Sequence, residues 1–148
     1  MKDKVRIGVI GAGQIGTAHL NGYSLIPEVQ VVAVSDLFEK KVTTAKEKFS
    51  IPDGYADFRD LLKRDDIDAV DVCVHNNKHA PIAIAALEAG KNVWCEKPMA
   101  GTFRDAHNMF QAAKKAGRKL HIQMDTVFCI ESRGARKLIA EGALGKIY

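Results

Sequence analysis

The most constraining feature of this chain is Gly11-Ala12-Gly13-Gln14-Ile15-Gly16, a G-x-G-x-x-G set between a strand pattern and a helix pattern. Val5 to Ile10 reads as a short apolar strand, and Gln14 to Ile26 as a helix stopped by Pro27. The valine-rich run Val29 to Ser35 reads as a second strand buried on both faces, with Asp36 directly after it. A glycine-rich turn between strand and helix, with an acid about 20 residues on, is the fingerprint of a dinucleotide site.

Each residue of that turn has its own physical reason. Gly11 permits the tight turn, Gly13 lets a pyrophosphate approach bare backbone, and Gly16 lets the helix pack against the strand. The amide groups at the helix start, Gln14 and Ile15 included, and the helix dipole attract the anion. Asp36 is placed to accept hydrogen bonds from the adenosine ribose hydroxyls. A phosphate on the ribose 2′ oxygen would meet that carboxylate, and two unit charges ~4 Å apart repel by about 4 kcal/mol at an effective dielectric of 20. NAD is therefore expected over NADP, with Lys40 and Lys41 near enough in sequence to soften the preference.

The rest of the chain continues the alternation. Glu39 to Phe49 reads as a charged amphipathic helix, Ile51-Pro52-Asp53-Gly54 as a turn, and Asp57 to Lys63 as a short helix with Asp57 and Asp60 at capping-box spacing. Ala69 to Val74 is a strand. Pro81 to Ala89 is a helix with proline in its first turn and Gly90 as its stop. Asn92 to Cys95 is a strand, and Thr102 caps a helix with apolar positions Phe103, Ala106, Phe110 and Ala113. Lys119 to Gln123 is a last strand and Glu131 to Ala140 a last helix. The expected fold is α/β, a doubly wound parallel-sheet Rossmann fold, with residues 1–123 as the dinucleotide-binding domain.

Composition narrows the function classes. At 148 residues and 47% hydrophobic, the chain can bury one core and is not disordered. No apolar run reaches the ~18 residues of a membrane span, and the start lacks a signal-peptide pattern, so a cytoplasmic protein without membrane contact is expected. Residues 1–90 carry 11 basic and 13 acidic side chains, and residues 91–148 carry 11 and 5. The basic excess collects at Lys114, Lys115, Arg118 and Lys119, around the helix end at Gly117, where cations complement the dipole. Nucleic-acid binding is not expected. Cys73, Cys95 and Cys129 are odd in number and lack C-x-x-C spacing, so they read as small buried thiols. No carboxylate and histidine grouping has metal spacing, so no metal is expected, and His19, His107 and His121 read as surface or core histidines.

Beyond the glycines, Asn76-Asn77-Lys78-His79, Ala89-Gly90-Lys91-Asn92-Val93, Glu96-Lys97-Pro98 and Gly142-Ala143-Leu144-Gly145-Lys146-Ile147 follow one another in order. Together they resemble the N-x-x-H, A-G-K-x-V, E-K-P and G-x-x-G of the glucose–fructose oxidoreductase / inositol dehydrogenase (Gfo/Idh/MocA) family. The chain departs from that pattern at Val74-His75, where Thr-Pro is usual, and at Val127-Phe128, where Arg-Phe is usual. The resemblance implies that Glu96 and Lys97 lie beside the nicotinamide and its ribose, that Lys97 also meets substrate as the catalytic acid/base, and that Asn76 and His79 line the cofactor cleft. It implies a small-molecule polyol or sugar substrate, a possible homo-oligomer, and a second, open-sheet α+β domain holding most substrate contacts. Residues 124–148 would be a junction helix and the start of that domain, so the chain reads as a truncated piece of a dehydrogenase that binds cofactor without turnover. The other reading is a non-catalytic dinucleotide-binding module with a regulatory or sensor role. Even without the resemblance, Glu96-Lys97-Pro98 places a charged pair directly after a buried strand, at a cleft rim where proline fixes the backbone. Trp94, the single tryptophan, is expected near the nicotinamide.

Overall fold

The valine- and isoleucine-rich runs pair as parallel strands because they are apolar on both faces and separated by segments long enough to cross back over a sheet. In the computed structural model, which describes residues 4–127 and 129–147, six strands form one sheet. They are β1 (Val5–Ile10), β2 (Val29–Ser35), β3 (Asp53–Tyr55), β4 (Ala69–Val72), β5 (Asn92–Cys95) and β6 (Leu120–Ile122). Their order is β3-β2-β1-β4-β5-β6, with every pairing parallel. The chain winds outward from β1 through β2 and β3, then restarts on the other side of β1 as β4. That reversal is the switch point at which doubly wound sheets open a crevice at the carboxyl ends of their strands.

The helices are α1 (Gln14–Tyr23), α2 (Glu39–Phe49), α3 (Phe58–Leu62), α4 (Asn76–Glu88), α5 (Phe103–Ala116) and α6 (Ile130–Ala140). Two apolar clusters flank the sheet. In one, Ile7, Val9 and Val34 pack with Leu20 of α1 and with Val42 and Ala45 of α2. In the other, Ile10, Val70, Val72, Val93 and Cys95 pack with Ala83, Ala86 and Leu87 of α4 and with Met109 and Ala113 of α5. Among the described residues, no helix is long and apolar enough to cross a membrane. The residues Ile130, Leu138 and Ile139 of α6 are exposed.

β1, β2, α2 and β5 have the bounds expected from the sequence, and the differences elsewhere have physical causes. The expected turn at Ile51 to Gly54 gives way to β3 from Asp53, because the outer edge of β2 offers a row of unpaired backbone groups. Gly54 fits there because a Cβ would overlap the Val42 side chain. α4 begins at Asn76 rather than Pro81, so the proline lies inside the helix instead of marking its start. Asparagines and a proline are weak helix signals, and tertiary packing overrides them here. α1 ends at Tyr23, capped by Ser24, and tight i→i+3 bonds from Leu25 and Ile26 finish the turn before Pro27 is reached. On α5 the expected stripe is rotated: Phe103 and Phe110 are exposed, and Met109 with Ala113 forms the buried face. The caps read from sequence hold, with Asp57 accepting the Arg59 amide and Thr102 accepting that of Asp105. Cys73 and Cys95 are buried thiols, whereas Cys129 is only partly covered.

Leu87, with no exposed surface, sits where α4 meets the sheet. Leu87→Ala is expected to cost roughly 2–5 kcal/mol of unfolding free energy, because it removes buried methyl groups and leaves a cavity; urea denaturation measures the loss.

Candidate functional site

The carboxyl ends of β1, β2, β4 and β5 open into a cleft of about 1220 Å³. Gly11, Gly13, Gln14, Ile15, Asp36, Asn76, Glu96 and Lys97 all line it, so most of the sequence-derived site is brought together in space. The glycine turn is built by close approach. Gly11 has φ +98°, and a Cβ there would run into the Cys73 carbonyl. A Cβ on Gly16 would overlap the Gly11 carbonyl oxygen, so Gly16 is a packing glycine behind the cleft wall. Gly13 is different: among the described residues, nothing lies within 4 Å of where its Cβ would stand. It is also the N-cap of α1, and no side chain caps that helix. The amides of the first turn therefore stand at the open wall of the cleft, without side-chain partners.

Asp36 is locked beside this turn. Its Oδ2 accepts the Ala12 amide at 2.9 Å and its Oδ1 accepts the Phe38 amide at 3.0 Å. Lys41 Nζ stands 3.9 Å from Asp36 Oδ2 and lies over the Phe38 ring. Phe38 and Arg59 also line this end of the cleft, a contribution that carried no sequence signal.

At the other end, β5 delivers Glu96 and Lys97, followed by a cis Lys97–Pro98 bond. Glu96 Oε2 accepts the backbone amide of Lys97 at 2.9 Å. His79 corrects an expectation. It is fully buried and does not line the cleft. Its Nδ1 lies 2.7 Å from the Pro98 carbonyl oxygen and its Nε2 3.0 Å from that of Val74. It ties the turn after β5 to the end of β4 and supports the cleft from behind. The face of the cleft at this point comes from His75 and Asn76 instead. Trp94 is likewise outside the cleft, stacked on His121 with ring centroids 3.9 Å apart.

His19 is the residue that sequence reasoning missed. Its Nδ1 lies 2.8 Å from Asp71 Oδ2 and its Nε2 3.1 Å from Glu96 Oε1. The hydrogen bond to Asp71 raises its pKa above the ordinary 6.5; burial opposes this and the Glu96 carboxylate adds to it. Burial and the neighbouring Asp71 push the Cys73 thiol and the Tyr23 hydroxyl far up, and burial pushes Cys95 up to about 12. His19, Asp71 and Cys73 carry ligand-type atoms within 4.8 Å of one another, a grouping that no sequence spacing announced. Each already has a hydrogen-bond partner within the group, and the thiol is held protonated, whereas a zinc site asks for thiolate and usually four ligands. The junction positions Phe128 and Tyr148 lie outside the described residues.

Fold and cleft together define a dinucleotide-binding Rossmann domain. The family model described as "Oxidoreductase family, NAD-binding Rossmann fold" matches residues 5–124, and the chain belongs to that Gfo/Idh/MocA family. It is 34% identical over 142 residues to a myo-inositol 2-dehydrogenase of Thermotoga maritima, covering 96% of this chain and 42% of that protein. A crystal structure of myo-inositol 2-dehydrogenase from Lactobacillus plantarum superposes with a TM-score of 0.91 at 27% identity, over 97% of this chain and 43% of that one. A scyllo-inositol dehydrogenase from Lactobacillus casei, solved with bound cofactor NAD(H) and scyllo-inositol, gives 0.90 at 25% identity, over 97% and 43%. The chain thus spans about two fifths of the length of these relatives.

A histidine whose pKa is raised on folding stabilises the native state fully below the unfolded value, and that contribution is lost as pH rises through the folded value. The unfolding free energy of the wild type should therefore exceed that of His19→Gln most at pH 6 or below. The gap should narrow as pH climbs past 6.5, as urea denaturation at a series of pH values will show.

Proposed function

We propose that this chain is the NAD(H)-binding part of an oxidoreductase that transfers a hydride between nicotinamide and a sugar, inositol or related polyol. The observation that carries the reading is the pairing of an uncapped, Cβ-free helix start at Gly13 with the Asp36 carboxylate, held by two backbone amides at the adenosine end. The residues present fit a dinucleotide: first-turn amides for the pyrophosphate, Asp36 for the ribose hydroxyls, and Glu96 with Lys97 at the nicotinamide end. NAD, when bound, supplies the hydride acceptor.

The chain's own chemistry lies at Lys97. When a substrate carbinol carbon gives up its hydrogen with both electrons, its hydroxyl must also lose a proton, and Lys97 Nζ would take it in its neutral amine form, becoming the ammonium. The relatives named for inositol substrates support a polyol. The exposed apolar residues of α6 and its C-terminal neighbour Leu144 support reading residues 124–148 as a junction that packs against a second domain. By itself the chain is expected to bind cofactor without turnover, since most substrate contacts would belong to a second domain.

Calorimetric titration tests the cofactor assignment. NAD should bind at lower concentration than NADP, because a 2′-phosphate meets Asp36; equal affinities would remove that role from Asp36. Two glycine substitutions separate site from scaffold. Gly13→Val should abolish NAD binding with the thermal midpoint nearly unchanged, because its Cβ meets nothing and its φ of −75° suits any residue. Gly16→Val should lower the midpoint sharply, because its side chain collides with the Gly11 carbonyl.

A further inference from the structure

The Glu96 carboxylate is held from behind the cleft. One oxygen faces His19 Nε2 at 3.1 Å, and the other accepts the Lys97 amide at 2.9 Å. His19 is itself braced by Asp71, in the middle of β4 between Val70 and Val72 and with no exposed surface. Asp71 Oδ2 also accepts the Tyr23 hydroxyl at 2.9 Å, and Oδ1 accepts the Cys73 thiol at 3.4 Å. His19, Asp71 and Tyr23 stand outside the cleft lining, yet they form an unbroken chain of hydrogen bonds to a residue that lines it.

A buried carboxylate costs several kcal/mol unless it is paired and its lone pairs are satisfied. A strand that needed only a core residue here would carry valine, as it does on either side. Asp71 instead fixes the His19 ring in one orientation, which leaves Nε2 aimed at Glu96. A third residue orienting a histidine towards its target is the same logic that serves hydrolytic triads. We propose that His19, braced by Asp71, is a positioning residue that fixes the Glu96 carboxylate and, through it, the backbone that presents Lys97 to the cleft. This rests on reading the Glu96 end of the cleft as the nicotinamide end.

The arrangement depends on charge. One imidazole donates to two carboxylates only when both ring nitrogens carry protons. The groups that face His19 are Asp71 and Cys73 at the end of β4, Glu96 after β5 and Tyr23 on its own helix; none of these is cationic. When the ring loses a proton, a lone pair faces one of the two carboxylates, Asp71 or Glu96, and in either tautomer the charge-assisted hold on Glu96 is lost.

The Lys97 amide is a built-in reporter, since it donates to Glu96. In NMR spectra of the 148-residue chain, its proton shift should follow the His19 titration with the same midpoint above 6.5, and this step should vanish in His19→Gln. In calorimetry, His19→Ala should weaken NAD binding about tenfold, the fold-change of one lost charge-assisted hydrogen bond, and His19→Gln should restore part of it. ADP-ribose, which lacks the nicotinamide, should bind both variants as it binds the wild type. A Lys97 amide indifferent to His19 ionisation would overturn the proposal, and so would equal changes for the two ligands. If the wild type binds neither ligand, the dinucleotide reading fails; the ligand-free titration of the Lys97 amide still decides the positioning role.

Discussion

The approach of Gly16 to the Gly11 carbonyl is the contact on which the site depends. Any side chain at Gly16 would push the first turn of α1 away from the end of β1. Three consequences follow from the contact being short. The uncapped start of α1 is aimed into the crevice beside β4. The Ala12 amide comes within reach of Asp36, just past the end of β2. One turn further along, His19 is laid over Asp71. A single steric requirement therefore positions the uncapped helix end, the Asp36 carboxylate and the histidine beneath Glu96.

The two ends of the cleft are stabilised by different means. At the Asp36 end, the carboxylate is held by neutral backbone amides, which are fixed once the strand and turn are formed. At the Glu96 end, a charged side-chain network does the same task, and its geometry depends on a histidine proton. Backbone amides do not titrate, whereas an imidazole does, so only the second arrangement relies on a donor whose proton comes and goes near neutral pH.

The sequence made the glycine turn legible because each glycine has a local steric reason, and it located Asp36 because strand length sets where the second strand ends. The same logic found Glu96 and Lys97, which follow β5 directly. It failed where the deciding partner is distant in the chain. His79 looked like a cleft residue from its motif, but the carbonyls of Val74 and Pro98 claim both its nitrogens. His19 looked like an ordinary core or surface histidine, because its partners lie 52 and 77 residues away. β3 carries turn chemistry, because Pro52, Asp53 and Gly54 are poor strand formers, and only the waiting edge of β2 recruits Asp53 to Tyr55 into the sheet. Phe103 and Phe110 satisfied a helical period yet face outward, since period alone fixes a stripe but not which side of it meets the sheet.

The latch between Asp36 and the amides of Ala12 and Phe38 also bears on how such a domain can change coenzyme. The carboxylate that a 2′-phosphate would meet, on the proposed reading, is the same one that pins the glycine turn to β2. Exchanging it for a residue without an acceptor oxygen would relieve that repulsion but leave two main-chain donors at the mouth of the crevice without their partner. An altered preference thus requires a second acceptor to appear nearby, either from a new side chain or from the incoming phosphate. Selectivity and loop order are inherited together, and a lineage that trades one must rebuild the other.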